Sequence, residues 1–333
     1  MYHAASNAET EYSLQSINTT DEYIARLAFG LDFPEYYWFS SNVKFEQKKV
    51  TDALGFFDCS YFSIVSDHYD FNTIDIYTIQ KEIMERINRV IPSLKEKDDY
   101  HTIDNVIKYV SNLLVYDKEY YEMSDIRAAF LYNKGVCSSY ANTFQILCNK
   151  LGYECYSVRG SSIDINGTID KTDNYDFGSD HMWNIIKIGN KWYWVDPTWA
   201  DANAVDSYGN DKMQYINYSY FLVPDEIFFI DHECDRTFKY PNCFDDSFFL
   251  FGDIGSSFNS FNKNSIDNAI EDAILNDRND YFFQFKRKKD LDSLVSWIKN
   301  KGFFDVYDSI NNIKYRGSID YYSSNNYSIY LTW

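Results

Sequence analysis

Apolar residues recur along this chain with two periods, and the switches between them mark its elements. Ile103, Val106, Ile107, Val110, Leu113 and Leu114 fall three and four apart, which predicts an amphipathic helix over 102–115. Ile79, Ile83, Ile87, Val90 and Ile91 mark an earlier helix that Pro92 is expected to stop. A third stripe, Cys137, Tyr140, Ala141, Phe144, Leu147, Cys148 and Leu151, is again one helical face, and Gly152 ends it. Beyond it the pattern reads as strands over 153–159, 181–188 and 191–196. The last two are joined by Gly189-Asn190, a two-residue hairpin signal. The stretch 161–180 is polar, acidic and loop-like. Toward the end a helix (266–275), a strand (280–286) and a helix (290–300) alternate before short aromatic strands, the last ending at Leu331.

These patterns divide the chain into a helical support segment (1–95), a middle segment (96–245) and a small α+β domain (246–333). With 13 Gly and 5 Pro in 333 residues, flexible linkers are scarce, and the chain is expected to fold throughout around a sizeable core. Charge changes the picture more. The net −19 repels phosphate backbones, so nucleic acid is excluded as a natural partner, while lysine-rich proteins or amines would be attracted. Solubility alone also accounts for such a surplus. The 31 tyrosines suit polar recognition of a polymer. No apolar run approaches the roughly 18 residues of a membrane helix, and the first twenty residues do not read as an intact signal peptide.

Six cysteines (59, 137, 148, 155, 234 and 243) show no zinc-finger spacing. His232, Glu233, Cys234 and Cys243 lack a full ligand set. Structural thiols, or a Cys234–Cys243 disulfide in an exported protein, fit better. The carboxylates at Asp164, Asp170, Asp173, Asp176 and Asp180 do not have the spacing of a calcium loop, and a solvated flap beside His181 describes them better. His3, His68, His101 and His232 have no chemical context. No dinucleotide, P-loop, zincin or serine-hydrolase motif is present, and neither cofactor nor metal is called for.

Cys137 is the chemical centre of the reading. It stands at the first position of its predicted helix, where the positive end of the helix dipole favours the thiolate. On its own, a lone cysteine on an apolar helical stripe is more often a small buried hydrophobe. In the hairpin, Ile188 pairs with Lys191, so Asp196 faces residue 183. His181 and Asp196 then share one side of the sheet as diagonal neighbours, about 7–8 Å apart at Cα. A nucleophile, a base and an orienting carboxylate are thereby available: Cys137, His181 and Asp196.

Four stretches resemble the transglutaminase-like superfamily, especially its bacterial members. They are Lys134-Gly135-Val136-Cys137-Ser138-Ser139-Tyr140-Ala141, Leu151-Gly152-Tyr153, His181-Met182-Trp183-Asn184 and Trp192-Tyr193-Trp194-Val195-Asp196-Pro197-Thr198-Trp199. The family commonly carries Gly-Val-Cys-Gln-Gly-Tyr-Ala, His-x-Trp-Asn and Asp-x-Thr-Trp in this order. The departure is Ser138-Ser139, beside the nucleophile. The match covers roughly 100–245, and that of 32–38 is weaker.

The resemblance implies an α+β, papain-like transglutaminase core, its nucleophile helix packed on an antiparallel sheet. It implies acyl transfer from an amide of a protein or peptide substrate through a Cys137 thioester, to an amine acceptor or to water. Trp183, Asn184 and Trp199 are read as scaffold. The Cys137 amide is one expected oxyanion donor and Tyr116 a guess for the second. Within the same resemblance stand a thiol peptidase or amidase and an inactive cell-envelope binding module. Bacterial relatives suggest an extracellular or envelope location; a cytoplasmic one stays open.

Overall fold

The computed structural model describes residues 11–14, 19–38, 43–46, 60–64, 73–162, 180–201, 216–249, 255–301, 303–308, 313–318, 320–323 and 327–332. Strand β1 (Glu11–Leu14), helix α1 (Thr19–Asp32), β2 (Val43–Glu46) and β3 (Ser60–Ile64) open the chain, with β3 between β1 and β2 in an antiparallel sheet. The expected helical support therefore also contains a sheet. Strands of four or five residues are too short for a period of two to stand out. Helix α2 (Thr73–Leu94) runs through Pro92 instead of stopping there. A proline costs a helix one amide bond, and buried Ile83, Ile87 and Leu94 hold the segment on both sides of it.

Helix α3 (Asp99–Leu113) follows as its pattern predicts, capped by Asp98, whose carboxylate accepts the His101 amide at 2.9 Å. Ile103, Val106, Ile107 and Val110 are fully buried. Then come β4 (Val115–Tyr116), a 3-10 turn (Lys118–Met123) and a π-helical turn (Ala128–Tyr132) that ends on left-handed Asn133. Strand β5 (Lys134–Gly135) runs parallel to β4 and leads directly into α4 (Cys137–Leu151). Gly152 closes α4 at φ 98°, a conformation other side chains rarely adopt.

The central sheet is built next, from β6 (Glu154–Ser162), β7 (His181–Ile188) and β8 (Lys191–Val195). After the short helix α5 (Pro197–Ala200) come β9 (Phe221–Val223), the short helix α6 (Asp225–Phe228) and β10 (His232–Cys234). All five strands pair antiparallel in the order β10-β6-β7-β8-β9. The β7–β8 turn is Gly189-Asn190 with Ile188 opposite Lys191, the register read from the sequence. One face, with Cys155, Ile186, Ile188, Tyr193 and Val195, joins the residues of α2, α3 and α4 in the main core. The other, with Val158, Trp183, Ile185 and Trp194, meets Tyr220, Val223 and Phe228. Burial on both faces explains why these strands read as nearly continuous apolar runs.

Strand β11 (Gly255–Phe258), α7 (Lys263–Leu275), β12 (Asp280–Phe285), α8 (Lys288–Lys301), β13 (Phe303–Asp308), β14 (Ile313–Ser318), β15 (Asp320–Ser323) and β16 (Ser328–Thr332) complete the chain. A sheet ordered β11-β12-β16-β15 puts Phe283, Phe285, Ile329 and Leu331 against Ile266, Ile270, Leu294 and Ile298 of α7 and α8. Phe282 and Tyr330, which point the other way, belong to the main core. The α+β fold expected for the chain is what the structure contains, a mixture of helices and a curled antiparallel sheet.

Candidate active site

The segment around Cys137 is held from both ends. Lys134 Nζ pairs with Asp117 Oδ2 at 2.8 Å, and the Asp117 amide donates to the Gly135 carbonyl at 2.9 Å, fastening β5 to the loop after α3. Val136 is extended and starts α4, so Cys137 is its first residue, half-buried. The opening amides of a helix lack partners one turn back, and the start of a helix favours a negative charge. Gly135 is required here: a Cβ on it would lie 2.3 Å from Ser139 Cβ. Farther along α4, Gln145 accepts the Ser157 amide at 2.9 Å and donates to the Leu31 carbonyl at 2.8 Å, tying the helix to β6 and α1.

His181 opens β7, opposite Gly160 of β6. That position has no room for a side chain, because an added Cβ would meet the Glu233 carbonyl oxygen at 2.1 Å and the Trp183 ring at 2.3 Å. Glycine thus lets β10 and Trp183 close in beside His181. Asn184, the residue after Trp183, donates to the Ala141 carbonyl at 3.0 Å and so fastens α4 to β7. Trp183 and Trp199 flank the His181 ring at 5.8 and 5.6 Å between centroids. The scaffold reading of Trp183, Asn184 and Trp199 has these contacts behind it.

Asp196 follows β8 and caps α5, with Pro197 next to it as the favoured first helical residue. Its Oδ1 accepts the amides of Thr198 and Trp199 at 2.9 and 3.1 Å. Its Oδ2 lies 2.6 Å from His181 Nε2. The diagonal relation read from the hairpin register therefore ends in a direct hydrogen bond. With Nε2 on Asp196, Nδ1 is left for the Cys137 thiol, which lies close enough to act on the ring. Burial disfavours the imidazolium, yet the Asp196 carboxylate, seconded by Cys137, holds the His181 pKa well above its ordinary range. Burial alone would likewise push Asp196 up. The two imidazoles beside it, His181 foremost, keep it well below the usual carboxylate range.

The second imidazole is the feature the sequence reading missed. His232 is buried, with Nε2 3.2 Å from Asp196 Oδ2 and Nδ1 2.7 Å from Asp231 Oδ1. Tyr220 donates to Asp231 Oδ2 at 2.6 Å. What joins His232 to the site is the antiparallel pairing of β10 with β6, a contact between segments about seventy residues apart. The available signal was the adjacent pair Asp231-His232 in an aromatic stretch.

Among the described residues, His181, Asp196 and His232 are the group able to hold a metal ion, with ligand atoms within 4.8 Å of one another. The imidazole nitrogens that face this point already lie 2.6 and 3.2 Å from Asp196 Oδ2. A cavity of ≈ 470 Å³ adjoins Phe229, Asp231, His232 and Cys234. Cys137 and His181 do not line it, so it is not where an acyl group would meet the thiol.

Cys234 and Cys243 are free thiols in the structure, so the disulfide weighed for an exported protein is not formed; burial pushes the Cys234 thiol up to about 12. Tyr116 pairs with Gly135 across β4 and β5 and its ring lies 6.2 Å from Tyr140. His101 is an exposed partner of Asp98. Asp180 accepts the Ser162 amide at 3.3 Å. His3, Cys59, His68, Asp164, Asp170, Asp173 and Asp176 lie outside the described residues.

Comparison with known proteins bears on the same segment. The model of the transglutaminase-like superfamily matches residues 88–197. Kyphoscoliosis peptidase of Homo sapiens is 24% identical over 184 residues, 52% of this chain and 27% of its own length; that of Mus musculus is 25% identical over 174 residues, 50% and 26% respectively. The chain thus spans about a quarter of the length of these curated relatives. A crystal structure of a TGase aligns with a TM-score of 0.32 and 14% identity, covering 63% of this chain and 54% of that one. Residues 88–197, which match the core model of the transglutaminase-like superfamily, include Cys137, His181 and Asp196.

Proposed function

We propose that this chain is a cysteine-dependent enzyme of acyl transfer on amides, with Cys137 as nucleophile, His181 as base and acid, and Asp196 as orienting group. The observation that carries the proposal is the buried 2.6 Å contact of the His181 ring with the Asp196 carboxylate, set beside the Cys137 thiol at the start of α4. In this reading His181 Nδ1 takes the thiol proton and the sulfur attacks the carbonyl carbon of a glutamine side chain or another amide. Oxyanion charge falls toward the amides at the start of α4. The C–N bond breaks, the imidazolium protonates the departing amine or ammonia, and a thioester remains. An amine or water, deprotonated by His181, then attacks, the C–S bond breaks and the thiol returns.

Which acceptor prevails separates a transglutaminase from a peptidase or amidase, and the peptidase name of the curated relatives favours keeping the second reading. The acidic stretch before His181 would recruit lysine side chains. Neutralising Asp173, Asp176 and Asp180 together should then lower the ratio of amine transfer to hydrolysis, less so in high salt. An unchanged ratio would leave plain hydrolysis.

The test is incorporation of a fluorescent primary amine into a glutamine-containing protein, run beside cleavage of a peptide library, with Cys137→Ala as control. Product in either assay that disappears in the variant supports the proposal. No product in either, from a folded protein, would favour a binding module.

A further inference from the structure

Asp196 is not held by one histidine alone. Its Oδ2 faces His181 Nε2 at 2.6 Å and His232 Nε2 at 3.2 Å, and the other nitrogen of His232 faces Asp231 Oδ1 at 2.7 Å. Both partners of His232 are carboxylate oxygens, which accept hydrogen bonds and offer none while ionised. The ring satisfies both sides only with a hydrogen on each nitrogen. Its surroundings suit that form, since Phe228, Trp199, Trp183 and Tyr220 lie at 4.1, 4.7, 5.0 and 5.4 Å between centroids. Such aromatic rings stabilise a desolvated cation. Tyr220, bonded to Asp231 Oδ2, saturates the outer carboxylate.

We propose that His232 is a positioning residue: a buried imidazolium between Asp196 and Asp231 that anchors the orienting carboxylate and offsets part of its charge. The proposal rests on the roles given above to Cys137, His181 and Asp196. Its physical content is a balance. Asp196 must hold the His181 ring in place, yet a fully uncompensated buried carboxylate would bind the His181 proton too tightly for its release to a leaving amine. A cation on the far side of Asp196, its ring centroid 5.9 Å from that of His181, relieves this. It also favours the thiolate of Cys137. The charged and titratable groups around His232 are Asp196 after β8, Asp231 and Glu233 beside it, His181 on β7 and Tyr220 before β9. Glu233 is exposed and paired with Arg236.

Two measurements test this without any substrate. The first is the pH dependence of Cys137 alkylation by iodoacetamide in the full chain. His232→Gln can keep one donor toward Asp196 but not the charge. Both limbs of the profile should move to higher pH, by about one unit, as expected for loss of a unit charge about 6 Å away in a partly polar interior. Asp231→Asn removes the partner that keeps the second hydrogen on His232, so it should move the limbs the same way, and it stands in should His232→Gln fail to fold.

The second measurement is the side-chain nitrogen NMR spectrum of the wild type at neutral pH, in which His232 should give the pattern of a doubly protonated ring. A neutral tautomer, or limbs that stay in place in a folded variant whose alkylation is only slower, would overturn the inference. A wild-type Cys137 with no sign of coupling to an imidazole would instead overturn the function proposed above.

Discussion

Two histidine–carboxylate contacts in this molecule have almost the same length and opposite surroundings. His101 Nδ1 lies 2.8 Å from Asp98, with the two side chains 48% and 57% exposed. His181 Nε2 lies 2.6 Å from Asp196, with 7% and 0% exposed. In the first pair water competes for every donor and acceptor, and salt screens the charges, so the contact adds little. The Asp98 carboxyl is lowered chiefly by the His101 amide, which makes it a helix cap that happens to meet a ring. The second pair has no water to fall back on. Both Asp196 oxygens are engaged by protein donors, and the Cys137 thiol adds to the pull on the His181 ring. Hydrogen-bond length does not distinguish the buried pair from the surface one. Burial and the partners on the far atoms do.

The largest expected separation between the pairs is catalytic. Asp196→Asn keeps the size of the side chain and loses the charge, so turnover in the amine-incorporation or cleavage assay should fall by about a hundredfold or more. In a serine triad the comparable change costs about 10⁴, and a thiol needs less activation. Unchanged turnover in a folded variant would put Asp196 on the same footing as Asp98.

A second separation is in thiol reactivity. Iodoacetamide at neutral pH, read by mass spectrometry, should label Cys137 before any other described cysteine, by about a hundredfold over Cys148. Burial pushes the Cys148 thiol well above its usual range. Prior labelling of Cys148 or Cys155 would break the case for a coupled Cys137.

The third is pH dependence of stability. The Asp196 pKa is lowered by folding, so its contribution is present above the ordinary aspartate range and is lost as pH falls through the lowered value. The His181 pKa is raised, so its contribution is complete below the ordinary histidine range and is lost as pH rises through the raised value. Melting temperature should therefore hold between about pH 5 and pH 6 and decline on either side. The alkaline loss should be smaller in His181→Gln, measured by calorimetry across pH.

The smallest effect belongs to the exposed pair. Asp98→Asn, which can still cap α3, should shift the melting temperature by no more than about 2 °C and leave turnover unchanged.

Legibility in the sequence followed the range of the contact. Helix α4 with its closing Gly152, the Gly189-Asn190 turn and the register that sets Asp196 against His181 all depend on neighbours in the chain, and each was readable. The helix through Pro92 was misjudged because a local penalty was outweighed by burial of Ile83, Ile87 and Leu94. His232 was dismissed because its role comes from β10 docking on β6, which leaves no periodic trace. The last segment read as a separate α+β unit. Phe282 and Tyr330 nevertheless sit in the main core, and Ser219 hydrogen-bonds Ser328 across the junction. Alternation along a strand predicts two faces but not what covers the second.

The lack of space between Gly135 and Ser139 has a consequence for how this site could change by mutation. A methyl group at 135 would sit 2.3 Å from Ser139 Cβ and 2.5 Å from its hydroxyl oxygen, while its next neighbour, Ala128 Cβ, is at a comfortable 3.7 Å. Trimming residue 139 to glycine removes both close contacts. The two positions are therefore expected to be epistatic, and the order of steps matters: Ser139→Gly followed by Gly135→Ala never meets the clash, whereas the reverse order meets it first. Selection from a library varied at both sites should return sizes that rise at one position only as they fall at the other.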